Sequence, residues 1–267
     1  MTRPVDDAAA AEVPQWSRRR CCAALAASAA GTLAACAGHR IQVPKELASP
    51  RVPAFSAAAA ATELPAGWAP HIMRRDRPPT QYRLHERDER VVVHAVAEHS
   101  TSGLRCDVDI DPHATPWLGW EWRVDRFPRG ASVADDERDD SPARVVLAFD
   151  GDMRQLRLRD LMFMEQVELF TGKTLPFATL MYTWDGEAAV DSVIAYPRSS
   201  RIQYLVVEQG PARAGRWLRY RRNVVDDYRR VFGADPGPIR HVGVLTDSDD
   251  LRLRVESWFG DITLTAI

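Results

Sequence analysis

Apolar and polar residues alternate along much of this chain, and the clearest case is the tryptophan-rich stretch 117–124. Read with a period of two, Trp120 and Trp122 fall on one face, and Glu121 and Arg123 fall on the other. This pattern is typical of a β-strand with one face in a core and the other toward solvent. We therefore expect a sheet with one aromatic side.

The same alternation, interrupted by turn residues, predicts further strands. They cover Arg90–Glu98, Gly103–Ile110, Arg144–Asp150, Leu180–Trp184, Arg201–Glu208, Arg216–Arg222, Ile239–Thr246, Leu251–Trp258 and Asp261–Thr265. Two helices are predicted between strands, one within 156–170 that stops at Gly172, and one that Asn223 caps and Gly233 ends. About ten short strands with two helices in the connections predict a mainly β protein, a jelly-roll-like antiparallel β-sandwich.

The N-terminal residues have the pattern of an export signal. Three arginines, Arg18–Arg20, precede an apolar run from Cys21 to Ala35 that is too short to span a membrane. This pattern predicts a signal peptide over residues 1–35. The segment Ser17–Arg19 also resembles the start of a twin-arginine motif, so export in the folded state stays open as an alternative.

The end of the apolar run, Leu33-Ala34-Ala35-Cys36, resembles the lipobox of bacterial lipoproteins. That resemblance implies that Cys36 carries lipid and anchors the protein to a membrane, on the periplasmic side of a bacterial cell envelope. An ordinary signal peptide cut at the alanine-rich site is the alternative.

Beyond Cys36, residues 36–62 are rich in alanine and proline and predict a tether, and residues 63–267 predict one β-sandwich domain. Once the signal leaves and Cys36 is acylated, Cys106 alone remains, so no internal disulfide is expected. Cys106 alternates with apolar residues and is expected to be a buried small hydrophobe.

The distribution of charge argues against nucleic-acid binding, and the spacing of cysteines and histidines argues against a zinc site. The net charge is −2, with basic and acidic residues interspersed, so no nucleic-acid partner is expected. Zinc is disfavoured because no His-x-x-x-His or Cys-x-x-Cys motif is present.

A first candidate site is the polar side of the predicted sheet. Glu121, Arg123 and Arg144 project from strands that we expect to be neighbours, and Asp139 or Asp140 would complete a cluster of acids and guanidinium groups. Arginine forks suit carboxylates and sugar hydroxyls. A salt-bridged sheet surface without a ligand is the alternative.

Two acidic repeats offer other chemistry. Asp247 and Asp249 have a spacing that suits a hard cation, and equally a turn. Hydrolysis of a glycosidic bond needs two carboxylates across a cleft. The carboxylates considered for it are Glu121, Asp139, Asp140, Asp247 and Asp249.

Tryptophan rings also stack on sugars when they are exposed. The candidates are Trp68, Trp117, Trp184, Trp217 and Trp258, whereas Trp120 and Trp122 are expected in the core.

Several ordered motifs between Gly67 and Ile267 resemble the bacterial family called domain of unknown function 3047. They are Trp117–Val124, Asp139-Asp140 with Arg144-Val145-Val146, Arg222-Asn223-Val224 with Asp227-Tyr228 and Phe232-Gly233, and Thr246–Asp249 with Trp258–Ile262. We add Arg222, Asn223 and Asp227 of these motifs to the candidate ligand-binding residues. The chain departs from the family at Asp250, where an asparagine is frequent.

The segment Trp258–Ile262 also resembles the end of galactose-binding-like jelly rolls. In those domains a late aspartate helps to hold calcium, so the resemblance implies a structural calcium at Asp247, Asp249 and Asp261.

These observations favour a non-catalytic envelope lipoprotein that binds a carbohydrate or another polar ligand. A carboxylate-dependent glycan hydrolase and a scaffold that binds an envelope protein are the alternatives.

Overall fold

The structure is a computed structural model of the 267-residue chain, and it describes residues 48–59 and 64–267. The predicted signal peptide, the predicted lipidation site Cys36 and most of the predicted tether lie outside the described residues. None of the helices in the described part is long and apolar enough to cross a membrane.

The described residues form mainly β structure. The strands are β1 (Trp68–His71), β2 (Gln81–Arg87), β3 (Arg90–Glu98), β4 (Thr101–Ile110), β5 (Trp117–Val124), β6 (Arg144–Phe149), β7 (Ala178–Asp185), β8 (Val193–Ala195), β9 (Ile202–Gln209), β10 (Leu218–Asn223), β11 (Ile239–Asp247), β12 (Arg254–Phe259) and β13 (Thr263–Thr265). The helices are α1 (Leu158–Thr171) and α2 (Val224–Phe232).

The strands form two sheets. The seven-stranded sheet has the order β1-β4-β11-β6-β7-β9-β8, and the six-stranded sheet has the order β10-β5-β12-β3-β2 with β13 beside β5. All described strand pairs are antiparallel except β7 and β9, which are parallel. The inner faces of both sheets share one core, so the prediction of a jelly-roll-like β-sandwich is confirmed.

The core is built on the aromatic side of β5, as the alternation predicts. Trp122 is fully buried, and its ring lies 5.6 Å from that of Trp120 and 6.5 Å from that of Trp184, which comes from the opposite sheet. Glu121 and Arg123 lie on the other face and are half-buried. Aromatic contacts of this kind add to the stabilisation from burial alone.

The domain begins before the predicted boundary at residue 63. Phe55 is fully buried, and its ring lies 4.6 Å from that of Trp68. The indole N–H of Trp68 donates to the carbonyl of Pro53 at 3.0 Å, and Ser49 pairs with Val108. Residues in this segment of the predicted tether therefore belong to the packed domain.

The two helices stop where the sequence predicts. Gly172 and Gly233 follow α1 and α2 with φ of 69° and 71°, the left-handed conformation that glycine adopts without strain. At the start of α2 the Asn223 side chain accepts from the backbone N–H groups of Val225 and Asp226. Both predicted ends of α2 are confirmed.

Helix α1 has a weaker apolar pattern than α2, and the structure gives the reason. Its buried residues are Asp160, Phe163 and Met164. Four large apolar side chains of α1 point to solvent instead: Leu158, Met162, Leu169 and Phe170. A helix with apolar residues on both sides shows no clear stripe in sequence.

His241 on β11 makes the domain sensitive to acid. Burial, with the nearby Arg105 charge, lowers its pKa from 6.5 to about 4. Asp107, whose Oδ1 accepts a hydrogen bond from the ring Nδ1 at 2.9 Å, acts to raise this pKa. The unfolded chain therefore binds a proton between pH 6.5 and 4 that the folded chain does not, so stability falls as the pH drops through this window.

We expect His241→Gln to remove about 2–3 kcal/mol of the acid-induced loss in unfolding free energy between pH 7 and pH 4.5. Urea denaturation of both proteins across this range measures the difference. His85→Gln is the control, because His85 is exposed. Parallel pH profiles for the wild type and His241→Gln would contradict the assignment.

Candidate functional site

The polar residues predicted to form one cluster lie in two different sheets. Glu121 and Arg123 are on β5 of the six-stranded sheet, whereas Arg144 is on β6 of the seven-stranded sheet. The prediction that they come from neighbouring strands is wrong, because the chain passes from one sheet to the other between β5 and β6. Arg144 is also buried, with 3% of its side chain exposed.

Arg144 instead forms the centre of a buried group of acids. Its Nη2 donates to Asp139 Oδ1 at 2.5 Å, and its Nη1 donates to Asp247 Oδ2 at 2.9 Å. We call the Arg144 cluster the set Asp139, Asp140, Arg144, Asp247 and Asp249. Asp139 is one of the two acids that the sequence analysis considered as a partner of Arg144, whereas Tyr204, which also contacts Asp139, was not among the candidates.

Tyr204 fixes the second oxygen of Asp139. The hydroxyl of Tyr204, on β9, donates to Asp139 Oδ2 at 2.8 Å. Burial raises the pKa of Asp139 to about 6, although Arg144 and the Tyr204 hydrogen bond both act to lower it. The carboxyl of Asp139 is thus held on both oxygens in a site where ionisation is disfavoured.

Asp140 has a structural contact with the turn after β11. Its Oδ1 accepts from the backbone N–H of Asp250 at 3.1 Å, and its Oδ2 accepts from that of Leu251 at 2.6 Å. Burial raises the pKa of Asp140 even so. These two bonds bring the loop before β6 against the acidic turn that contains Asp249.

Asp247 and Asp249 are close to Asp140. One carboxylate oxygen from each of the three residues lies within 4.8 Å of the others. Burial raises the pKa of Asp247 well above its usual range, against the effect of Arg144, and the neighbouring Asp249 raises it further. The Oδ1 atom of Asp247 is buried and has no hydrogen-bond partner.

Two arginines from the segment before β2 reach Asp249. Arg74 Nη1 and Arg77 Nε lie 3.3 Å and 3.4 Å from Asp249 Oδ2. Neither arginine was predicted to take part, because a basic run before two prolines gives no signal of its distant acidic partner.

Asp261 is not part of this acidic group, which corrects the set predicted for calcium. Its Oδ1 and Oδ2 accept from the backbone N–H and the hydroxyl of Ser56, at 2.9 Å and 2.5 Å. Asp140 takes its place beside Asp247 and Asp249. The short segment before β13 carries Asp261 toward the N-terminal part of the domain.

A second polar site occupies the outer face of the six-stranded sheet around Trp258. Arg87 lies over the Trp258 ring at 4.1 Å, and the His94 ring stacks on it at 3.8 Å. Asp125 accepts from the indole N–H of Trp258 at 2.9 Å and from Arg123 Nε at 2.6 Å. The neighbouring strands thus hold these rings and charges in fixed positions.

Glu121 belongs to an adjoining part of the same face. Its carboxylate accepts from Arg90 and from Arg219, the latter at 3.0 Å. Arg90 also lies over the half-buried ring of Trp217, 4.4 Å from its centre, and the Trp217 indole N–H donates to Asp88 at 2.7 Å. We call the outer face the set Arg87, Arg90, His94, Glu121, Arg123, Asp125, Trp217, Arg219 and Trp258.

The other candidate tryptophans differ in exposure. Trp68 and Trp184 are buried in the core. Trp117 is half-buried at the start of β5, with the guanidinium of Arg221 at 3.9 Å from its ring centre. Trp217 is half-buried as well, whereas Trp258 is buried, so Trp117 and Trp217 are the candidates whose rings are partly accessible.

The predicted ligand-binding residues near α2 have contacts within the protein. Arg222 makes two hydrogen bonds to the Asp227 carboxylate, at 2.9 Å and 2.6 Å, and Tyr182 donates to the same group at 3.0 Å. Asn223 caps α2. These contacts give the three residues a role in attaching α2 to the sheet.

Comparison with solved structures gives distant likenesses of the whole domain. The carbohydrate recognition domain of Emp47p has a TM-score of 0.42 and 11% identity, covering 81% of this chain and 94% of that one. Endoglucanase 3 of Trichoderma harzianum, from family GH12, has a TM-score of 0.40 and 8% identity, with coverage of 80% and 96%. The xyloglucanase domain of NopAA from Sinorhizobium fredii has a TM-score of 0.39 and 9% identity, with coverage of 77% and 99%.

Among curated proteins, none matches the sequence. One protein family matches over residues 66–263, which contain every strand of the domain except the short end of β13. Its members are described as proteins of unknown function. The chain belongs to this family, DUF3047.

Proposed function

We propose that the domain is a non-catalytic binding module for a carbohydrate or a similar hydroxyl-rich ligand, which binds at the outer face of the six-stranded sheet. The observation that supports this proposal is the arrangement of the half-buried Trp217 indole beside paired guanidinium and carboxylate groups. Indole faces suit the apolar faces of sugar rings, and guanidinium and carboxylate groups suit their hydroxyls.

The polar groups of the outer face are accessible as well as ordered. Side-chain exposures in the pairs Arg87–Asp125, Arg90–Glu121 and Arg123–Asp125 lie between 12% and 35%. Each charge is held by a partner, so a ligand would meet a surface whose geometry is already set. Such preorganisation lowers the entropic cost of binding.

The N-terminal sequence supports a proposal for the cellular compartment in which the ligand is bound. We propose that lipid on Cys36 anchors the protein on the periplasmic side of a bacterial envelope, with the domain facing envelope glycans. A scaffold that binds an envelope protein through the same face is the competing proposal.

The buried acids support hydrolysis less well than binding. Glu121 lies on β5 of the six-stranded sheet, whereas Asp247 ends β11 of the seven-stranded sheet, and Asp139, Asp140 and Asp249 lie in loops. Asp140, Asp247 and Asp249 are 0–6% exposed and within 4.8 Å of one another, whereas a glycosidase places two accessible carboxyls about 5 Å or more apart around the sugar.

We expect the full chain to bind at least one oligosaccharide in a panel of neutral and acidic glycans and peptidoglycan fragments. Trp217→Ala should weaken that binding about tenfold, the loss of one stacking contact. Isothermal titration of the best ligand from the panel measures the effect. Arg154→Ala is the control, because Arg154 is exposed and pairs with Asp152, and neither residue belongs to the outer face.

Two results would count against this proposal. One is the absence of binding to any glycan at millimolar concentration. The other is equal affinity of the wild type and Trp217→Ala. Specific capture of a membrane protein under mild detergent, lost in Trp217→Ala and without glycan binding, would favour the scaffold.

A further inference from the structure

Three carboxylates meet below the surface at the end of β11. Asp140, Asp247 and Asp249 are 0%, 6% and 5% exposed, and each places an oxygen within 4.8 Å of the other two. Carboxylates in such proximity repel one another unless a proton or a cation lies between them. The group needs a positive partner that the ion pairs described so far supply only in part.

The second observation is the free oxygen of Asp247. Its side chain is 9% exposed, Arg144 donates to its Oδ2, and no N–H or hydroxyl group of the described residues donates to its Oδ1. A buried polar atom without a partner costs about 1–3 kcal/mol, so most such atoms are satisfied by a group of the protein, a water or an ion. This oxygen belongs to a residue of the three-carboxylate group itself.

The balance of charged side chains around the three carboxylates also favours a bound cation. The acids that influence one another here are Asp139, Asp140, Asp247, Asp249 and Asp250. The guanidinium groups paired with them are those of Arg74, Arg77 and Arg144. Arg74 also pairs with Asp76 at 2.7 Å, so six carboxylates share these three guanidinium groups and acids outnumber bases here.

We propose that Asp140, Asp247 and Asp249 bind one hard divalent cation, with calcium the best fit. Carboxylate oxygens are the ligands that calcium prefers, and water molecules complete its coordination of six to eight oxygens. A cation adds positive charge where acids outnumber bases, and it would give the free Oδ1 of Asp247 a partner. The proposal is independent of glycan binding at the outer face.

The cation would hold three parts of the chain together. Asp140 lies in the loop before β6, Asp247 ends β11, and Asp249 lies in the turn that leads to β12. The ion therefore ties together segments from which strands of both sheets continue. Its main effect is on the stability of the domain, since binding to the folded state alone shifts unfolding by mass action.

The test uses the full chain, first freed of metal with a chelator. Equilibrium dialysis with radioactive calcium should show one bound ion per chain. Calcium at about 100 times the dissociation constant should raise Tm by about 5 °C or more, and excess chelator should reverse the rise. The same titration with magnesium measures selectivity among hard cations.

Asp247→Asn should weaken calcium binding at least tenfold and remove most of the rise in Tm. Asp261→Asn is the matched control, because it also removes one aspartate charge but lies outside the group, and it should keep both. If Asp247→Asn does not fold by circular dichroism, Asp249→Asn replaces it.

The proposal is overturned if neither calcium nor magnesium binds at concentrations up to about 10 mM, which exceeds the range of extracellular calcium modules. In that case a shared proton between Asp247 and Asp249 accounts for the group. Binding that survives unchanged in the folded Asp247→Asn or Asp249→Asn variant also overturns it.

Discussion

Replacing Arg144 by methionine is expected to lower the free energy of unfolding by about 3–5 kcal/mol. The guanidinium lies between Asp139 and Asp247 and is 3% exposed. Methionine fills similar space but leaves the half-buried carboxylate of Asp139 and the buried one of Asp247 without their cationic partner. Urea denaturation at pH 7 in the presence of a chelator measures this loss without help from a bound metal ion.

Two companion variants separate charge from packing at this position. Arg144→Met combined with Asp247→Asn should recover part of the loss, because one of the two unpaired charges is then absent. Arg154→Met is the control and should change stability by less than about 0.5 kcal/mol, since its side chain is 82% exposed. A loss below about 1 kcal/mol in Arg144→Met would show that the buried ion pairs contribute little.

Trp122→Ala is the second change with a large expected effect, a loss of about 3–5 kcal/mol in unfolding free energy. The ring is fully buried and packs between aromatic residues of both sheets. Truncation removes this contact area and leaves a cavity that the two sheets cannot close. Chemical denaturation followed by far-ultraviolet circular dichroism measures the loss.

Trp122→Phe should cost clearly less than Trp122→Ala, because it keeps an aromatic ring at a fully buried position. Trp217→Ala should also cost clearly less than Trp122→Ala, because the Trp217 ring is only half-buried and its removal loses less contact area. Equal stability losses in Trp122→Ala and Trp217→Ala would contradict the assignment of Trp122 to the core and of Trp217 to a partly exposed position.

The sequence predicts the long strands well because their inward and outward residues differ. β3 and β5 match their predicted ranges from end to end. The strands that sequence reasoning missed lack this contrast. β1 is four residues with a proline, β2 has only two buried residues among charged ones, and β8 is three residues at a sheet edge.

Contacts between side chains of different strands and loops were harder to predict than the strands themselves. Alternation places Glu121 and Arg144 on polar faces, but it contains no information on which sheet each strand joins. The proximity of Asp247 and Asp249 was predictable, because side chains two positions apart on one short segment stay close to each other. Asp140 was predicted near Arg144, yet its place beside Asp249 depends on hydrogen bonds to the turn after β11.

The strand order has a consequence for how the chain acquires its fold. β11 lies between β4 and β6, and β12 lies between β3 and β5, so the last long strands occupy interior places in both sheets. Cys106 of β4 faces Val242 of β11, and their contact spans 136 positions along the chain. Pairings this distant form slowly, since a long loop must close before they stabilise anything.

A chain that leaves the ribosome from its N-terminus therefore has both sheets divided until β11 and β12 emerge. Before that point β3, β4, β5 and β6 present open edges, which are prone to pair with other chains. Folding into the two sheets thus requires the completed polypeptide. A fragment that ends before Ile239 is expected to aggregate during synthesis and not to accumulate as a smaller domain.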